Sequence, residues 1–115
     1  MGAEIVEANS RFSVIHFGAG TGDMFSQYSC PKCGENTTVN DWQIRDSLFS
    51  DRSILPSDVV AELEELRPIR REQWEEFYDF NCGSCKSAVR VVFVPNEFRM
   101  AAHNFILKSV IELCP

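Results

Sequence analysis

The apolar residues near the start of the chain alternate with polar ones, as they do in a β-strand. Within residues 12–17, Phe12, Val14 and His16 recur at every second position. This spacing predicts a strand that carries the three side chains on one face. Residues 1–10 are expected to be a loose start, so the first regular element is predicted to begin at Phe12.

The same two-residue period returns in the second half of the chain. Val89, Val91 and Phe93 alternate within residues 88–94, a segment rich in β-branched residues. These three side chains are therefore predicted to share one face of a strand. Because proline lacks the N–H that a strand ladder uses, Pro95 is expected to end it.

The last apolar stretch, residues 105–113, is short enough to be either a strand or a helix. Its apolar side chains fit a period of two, namely Phe105, Leu107, Ile111 and Leu113. We predict a final strand, and a helix remains the alternative.

A pattern typical of helices occupies the middle of the chain. Ser57 is a candidate N-cap, and Asp58 suits the positive end of a helix in the first turn. The apolar residues that follow fall on one helix face: Val59, Val60, Leu63 and Leu66. Pro68 is expected to end this helix, and a second short helix is expected over residues 41–49. Residues 40–73 are therefore predicted to form a helical insertion.

Two C-x-x-C pairs flank this insertion and carry the clearest chemistry in the sequence. The first pair lies between predicted strands over residues 24–29 and 37–39, and the second follows a predicted strand over residues 75–81. The four cysteines are Cys30, Cys33, Cys82 and Cys85. Four sulfurs from two tight turns form the complete ligand set of a closed structural zinc site. Gly34 and Gly83 suit such turns, which often need a positive φ.

Disulfides, a redox C-x-x-C and an iron–sulfur cluster are the alternatives to zinc. No charged segment followed by an apolar stretch opens the chain, so secretion and persistent disulfides are not expected. A thioredoxin-like motif would occur once, and paired turns around a folded segment suit a single ion better than a cluster. Zinc is therefore favoured, with iron or redox chemistry still open. Cys114 lies outside both pairs and is interpreted as an incidental thiol.

Cysteine turns at strand ends, each followed by a returning strand, resemble a zinc ribbon. The resemblance covers residues 24–39 and 75–94, although the 48 residues between the two pairs exceed the spacing of most compact ribbons. It implies an α+β fold, with a small antiparallel sheet, a zinc ribbon and an acidic helical insertion between the two cysteine turns, or knuckles. It also implies a single domain over residues 1–115 that holds a structural Zn²⁺ through the four cysteines.

Charge is distributed unevenly along the chain. The formal net charge is −6, and residues 35–81 contain twelve acidic residues against five arginines. Ribbons that bind nucleic acid need a basic surface, so this acidity argues against nucleic acid and favours a basic protein partner. The longest apolar run, residues 91–94, is too short to span a bilayer. We therefore expect a cytoplasmic protein without a membrane partner.

In size, acidity and lack of a catalytic motif, the chain resembles the immunity proteins of bacterial toxins. This resemblance implies a non-enzymatic inhibitor that occludes a basic toxin or effector domain. The candidate contacts are Asp58, Glu62, Glu65, Glu72, Glu75 and Glu76. The alternative is a nucleic-acid-associated zinc ribbon in transcription, translation or RNA handling. Its contacts would be Arg45, Arg52, Arg67, Arg70 and Arg71.

The glycine-rich residues 18–23 resemble the first motif of Rossmann-type methyltransferases. That motif opens a helix, yet Cys30 follows only eight residues after Gly22. A turn is therefore predicted instead of a cofactor site. His16 and His103 have no ligand spacing relative to the cysteines and are not expected to bind the metal.

Overall fold

The computed structural model describes residues 2–18, 22–47, 53–66, 75–99 and 102–114. The described residues form a mixed α+β structure of antiparallel strands and two α-helices. The strands are β1 (Gly2–Glu7), β2 (His16–Gly18), β3 (Phe25–Ser29), β4 (Asn36–Asn40), β5 (Glu76–Asn81), β6 (Ala88–Arg99) and β7 (Ala102–Cys114). The helices are α1 (Asp41–Ser47) and α2 (Ser57–Leu66), and a 3-10 helix covers Ala8–Ser10.

The strands form a main sheet and a separate hairpin. In the main sheet the order is β1-β7-β6-β5, and β2 also pairs with β7, next to the segment that β1 covers. All of these pairings are antiparallel. Strands β3 and β4 form a separate two-stranded hairpin, and Tyr28 of β3 also makes an isolated antiparallel bridge with Phe12. The first cysteine pair thus belongs to the hairpin, and the second belongs to the main sheet.

The predicted loose start over residues 1–10 is wrong. Strand β1 pairs with the end of β7, from Gly2 opposite Cys114 to Glu7 opposite Ser109, and Ala8 is buried. Without β1, this edge of β7 would expose unpaired backbone groups, and pairing removes that liability. Residues 1–10 show no regular apolar alternation, so the local pattern did not predict this strand.

The predicted strand over residues 12–17 is shorter and later than expected. Only His16–Gly18 forms a strand, and the Ser26 side chain bonds the backbone of Val14, accepting from its N–H (3.0 Å) and donating to its carbonyl (2.6 Å). A side chain therefore satisfies the groups that a strand ladder would use. The three residues predicted on one face also differ in burial, since Phe12 is buried, Val14 is half-buried and His16 is exposed.

Strand β6 continues past Pro95, where the sequence predicted its end. Its pairing with β5 reaches only as far as Phe93 opposite Glu76, while Pro95 pairs on the other side with Phe105 of β7. Among the described strands, Pro95 therefore lies at a one-sided edge, where the missing N–H costs no ladder bond.

The predicted final strand is confirmed, but its apolar residues do not share one face. The register shifts between Val92, opposite Ser109, and Phe93, opposite Leu107, so Lys108 is an extra residue in β7. Such a bulge reverses the alternation of side chains along the strand. As a result, Leu107 and Ile111 join different cores.

The main sheet has a core on each face. The hairpin-side core contains the predicted trio Val89, Val91 and Phe93, packed with residues of the hairpin such as Tyr28 and Val39. The helix-side core joins Leu63 of α2 to residues of β6 and β7. Its members are Leu55, Leu63, Ala88, Val92 and Ile111, with Ala3, Val59, Val60 and Leu113 packed around them. Helix α2 thus packs on the sheet, although Leu66, predicted on its apolar face, is largely exposed.

Candidate metal centre

The first cysteine pair lies in the turn between β3 and β4. The Cys30 N–H donates to the carbonyl of Glu35 (3.0 Å), and the Gly34 N–H donates to the carbonyl of Cys30 (2.9 Å). Gly34 has a φ of 75°, in the left-handed region where a Cβ is disfavoured. The expected glycine turn is therefore present at Gly34.

The second pair repeats this geometry in the turn between β5 and β6. The Cys82 N–H donates to the carbonyl of Ser87 (2.9 Å), and the Lys86 N–H donates to the carbonyl of Cys82 (3.1 Å). Lys86 takes the left-handed position, with a φ of 65°. Gly83 does not have a positive φ, so its predicted role is wrong. Its N–H instead donates to Thr37 Oγ1 of the hairpin (3.3 Å).

These two matching turns bring all four sulfur atoms together. The Sγ atoms of Cys30, Cys33, Cys82 and Cys85 lie within 4.8 Å of one another. The separation is 3.5 Å between Cys30 and Cys85 and between Cys33 and Cys82. Sulfurs about 2.3 Å from a tetrahedral ion lie about 3.8 Å apart, whereas a disulfide needs about 2.05 Å. The four thiols therefore fit a single metal ion, and no disulfide joins them.

The sulfur environments differ in burial and hydrogen bonding. Burial raises the pKa of the Cys30 thiol to about 11. For Cys82, burial acts in the same direction, but N–H groups of Cys85 and Ser84 outweigh it and lower the pKa. The pKa of the exposed Cys85 falls to about 6, chiefly because the Ser87 side chain hydrogen-bonds its sulfur. At Cys82 and Cys85, backbone and hydroxyl donors thus favour the thiolate, the form that binds a metal.

A lysine beside the sulfurs further joins the two turns. The Lys32 ammonium donates to Ser87 Oγ (3.2 Å) of the second turn and to the carbonyl of Leu113 (2.8 Å) in β7. It therefore places a positive charge near a site that carries excess negative charge when four thiolates bind one divalent ion.

The two left-handed positions predict opposite effects of substitution. Gly34→Ala is expected to lower the free energy of unfolding by about 1 kcal/mol, since the added Cβ meets open space but the backbone is strained. Lys86→Gly relieves the same backbone strain. It is therefore expected to raise the free energy of unfolding by up to about 1 kcal/mol. Urea denaturation of the metal-loaded proteins measures both, and a loss of stability in both variants would contradict the shared geometry of the turns.

The predicted acidic contacts fall into three groups. Asp58, Glu62 and Glu65 are exposed on α2. Glu76 begins β5, Glu75 directly precedes it, and both are half-buried. Glu72 lies outside the described residues, as do Arg52, Arg67, Arg70 and Arg71 of the nucleic-acid alternative. Arg45, the remaining arginine of that alternative, is described and is exposed on α1.

The sequence interpretation missed two ion pairs, each with a buried carboxylate. Arg90 of β6 lies directly opposite Asp79 of β5 and contacts both carboxylate oxygens (2.7 and 2.9 Å). On the hairpin side, the buried Glu112 carboxylate accepts bonds from the Tyr28 hydroxyl and from Arg11 (2.8 Å). The available signal was a charged residue inside an apolar strand, such as Arg90 between Val89 and Val91.

Comparison with protein-family models, with curated proteins and with solved structures finds no match. None of the helices in the described part of the chain is long and apolar enough to cross a membrane. The functional assignment of the site therefore rests on its own geometry.

Proposed function

We propose that this protein is a non-enzymatic, zinc-stabilised inhibitor of a basic protein, acting as an immunity protein acts on a toxin or effector domain. The observation that carries the proposal is a row of exposed carboxylates on α2. Asp58, Glu62 and Glu65 stand at positions i, i+4 and i+7 and therefore share one helix face over about 10 Å. We call these three residues the acidic stripe.

The acidic stripe is unfavourable for the isolated helix. Like charges three or four residues apart repel by about 0.2–0.5 kcal/mol per pair. Glu62 and Glu65 also lie towards the negative end of the helix dipole, and α2 has no basic residue in its last turn. A basic partner would relieve both effects. This gain on binding supports a docking role.

Exposed apolar residues near one end of the hairpin support protein binding as well. Met24, Phe25 and Trp42 are 47%, 52% and 53% exposed. They lie at one end of the hairpin, where the Asp41 N–H donates to the carbonyl of Met24 (2.9 Å). Half-exposed aromatic side chains of this kind are enriched among the residues that dominate the binding energy of protein interfaces.

The metal has a structural role in this proposal. Four thiolates complete a tetrahedral set and leave no open position for a substrate or a reactive water. Thiolate ligands in this geometry favour Zn²⁺, which would tie the hairpin to the main sheet. A cytoplasmic location would keep these thiols reduced.

Charge reversal of the acidic stripe tests the proposal. In the stripe variant, Asp58, Glu62 and Glu65 are each replaced by lysine. In the control variant, three exposed acidic residues outside α2 are replaced by lysine: Glu4, Glu7 and Asp46. Both variants change the net charge equally, so only the position of the change differs. Affinity capture from host lysate identifies the partner, and titration calorimetry with the purified partner at two salt concentrations then compares the variants.

The expected result is that wild type and control bind the partner, whereas the stripe variant loses affinity by at least about a hundredfold. Binding of the wild type should also weaken as salt rises. A stripe variant that binds as tightly as the control would refute the acidic-docking role. Binding of nucleic acid in place of a basic protein would favour the alternative ribbon function.

A further inference from the structure

The four sulfur ligands differ in their access to solvent. Cys30 and Cys82 are buried, Cys33 is half-buried and Cys85 is exposed. In the described structure Cys85 is therefore the ligand that a small reagent in solution meets first. Reaction of cysteines follows thiolate character together with exposure, and a metal ligand is already a thiolate.

Two short sulfur contacts join residues of opposite turns. Cys85 is 3.5 Å from Cys30, and Cys33 is 3.5 Å from Cys82. Each of these contacts connects the hairpin to the main sheet, since Cys30 and Cys33 follow β3 while Cys82 and Cys85 follow β5. A disulfide needs a shortening of each contact by about 1.5 Å.

We propose that Cys85 is a site of covalent modification by hydroperoxides and other small electrophiles, and that peroxide converts the metal centre into two disulfides, Cys30–Cys85 and Cys33–Cys82. Both bonds join the hairpin to the main sheet. The oxidised protein therefore loses its metal ligands and keeps the connection that the ion provided. This inference depends on the cysteine site and not on the identity of the partner.

The reaction balances with two equivalents of hydrogen peroxide. The Cys85 thiolate attacks one peroxide oxygen, the O–O bond breaks, and the products are a sulfenic acid at Cys85 and a hydroxide. The Cys30 thiolate then attacks the Cys85 sulfur, forms the S–S bond and expels a second hydroxide. The second equivalent oxidises Cys33 and Cys82 in the same way. Thiol sulfur is oxidised, peroxide oxygen is reduced, and the hydroxides take protons from solvent.

The fold connects the two halves of the centre independently of the ion, so oxidation need not unfold the protein. Tyr28 and Val39 of the hairpin pack into the hairpin-side core with Phe80 of β5. Cross-links between these elements restrict the unfolded chain further. The oxidised form is therefore expected to keep its circular dichroism spectrum after the ion has left.

The first experiment labels the metal-loaded full chain with less than one equivalent of N-ethylmaleimide. Mass spectrometry of tryptic fragments then locates the label. We expect at least about ten times more label on Cys85 than on the buried Cys30 or Cys82, because buried thiols react slowly. Labelling that begins at either buried cysteine, or equally at all four, would overturn the assignment of Cys85.

The second experiment adds hydrogen peroxide, follows metal release with a chromogenic chelator and maps the disulfides. Cleavage after Lys32 separates Cys30 from Cys33, whereas Cys82 and Cys85 remain together in fragment 72–86. The proposed bonds would join fragments 12–32, 33–45 and 72–86 in one species. Fragmentation between Cys82 and Cys85 should then place Cys30 on Cys85.

Disulfides within each C-x-x-C pair would instead leave fragment 72–86 separate, with an internal bridge, and would overturn the proposed pairing. Metal release without any disulfide would overturn the proposed conversion of the metal centre into two disulfides. A dithiol reductant followed by added Zn²⁺ should restore one ion per chain, since disulfides are reversible and higher sulfur oxides are not.

Discussion

Cys85→Ser and Cys82→Ser are each expected to abolish metal binding and to lower the free energy of unfolding by about 3 kcal/mol or more. The magnitude follows from the metal's contribution to folding, because apparent binding free energies of structural zinc in small peptides are about 10–16 kcal/mol. Globular domains are stable by only about 5–15 kcal/mol in total. Even a fraction of the metal's contribution is therefore large relative to the whole.

Comparison of these two variants separates the metal effect from packing. Cys85 is exposed, so a serine hydroxyl there is solvated and costs little by itself. Cys82 is fully buried, so its serine adds the penalty of an unsatisfied hydroxyl. If loss of the metal is the main effect, each variant should show most of the drop in unfolding free energy that a chelator causes in wild type. Cys82→Ser should lose somewhat more than Cys85→Ser.

Metal analysis by mass spectrometry and urea denaturation, each with and without chelator, measure these effects. Cys114→Ser is the matched control, since it removes a thiol but none of the four ligands. The control should retain one ion per chain. In the opposite outcome, Cys85→Ser keeps a full equivalent of metal and an unfolding midpoint that chelator does not change. That result would show that the four-cysteine site is wrong.

The four-cysteine cluster could be predicted from sequence because its information is local. Each knuckle is six residues long, from Cys30 to Glu35 and from Cys82 to Ser87, and the C-x-x-C spacing alone places two sulfurs on one turn. The match in backbone hydrogen bonds confirms that reading. What spacing could not reveal was that Lys86, a residue with a Cβ, takes the left-handed position at which the first knuckle has Gly34.

The fold was less predictable because its decisive features are nonlocal. The pairing of β1 depends on the register of β7 at the other end of the chain, and residues 1–10 carry no apolar alternation that predicts it. The bulge at Lys108 divides the final strand between two cores, although an unbroken two-residue period predicts one face. Local pattern identified the element, and long-range register decided the orientation of its side chains.

Asp79→Asn is expected to lower the free energy of unfolding by about 3–5 kcal/mol, the range for breaking a buried ion pair. The side chains of Arg90 and Asp79 are 0% and 1% exposed, and the Phe77 ring lies 4.0 Å from the Arg90 guanidinium carbon. Although burial opposes its charge, hydrogen bonding to Asp79 holds the pKa of Arg90 above its usual value. An asparagine keeps the shape but leaves this charge without its main counterion.

Glu64→Gln is the matched control for the same network. Glu64 of α2 contacts Arg90 at 3.3 Å, but its side chain is 47% exposed, so solvent screens the pair. Loss of this charge should cost less than about 1 kcal/mol. Urea denaturation compares the two variants, and equal losses would contradict the assignment of Asp79 as the main partner of Arg90.

The double variant Arg90→Met, Asp79→Leu tests why a buried ion pair lies between α2 and the sheet. Apolar residues of similar volume often replace such a pair with little loss of stability, so the double variant should recover most of the loss seen in Asp79→Asn. The pair also connects α2 to the sheet. Arg90 contacts Glu64 of α2, and the hydroxyl of Ser53, four residues before α2, donates to Asp79. If the role of the pair is to position the acidic stripe, the double variant should be stable yet bind the partner more weakly. Full affinity in a stable double variant would limit the pair to a structural role.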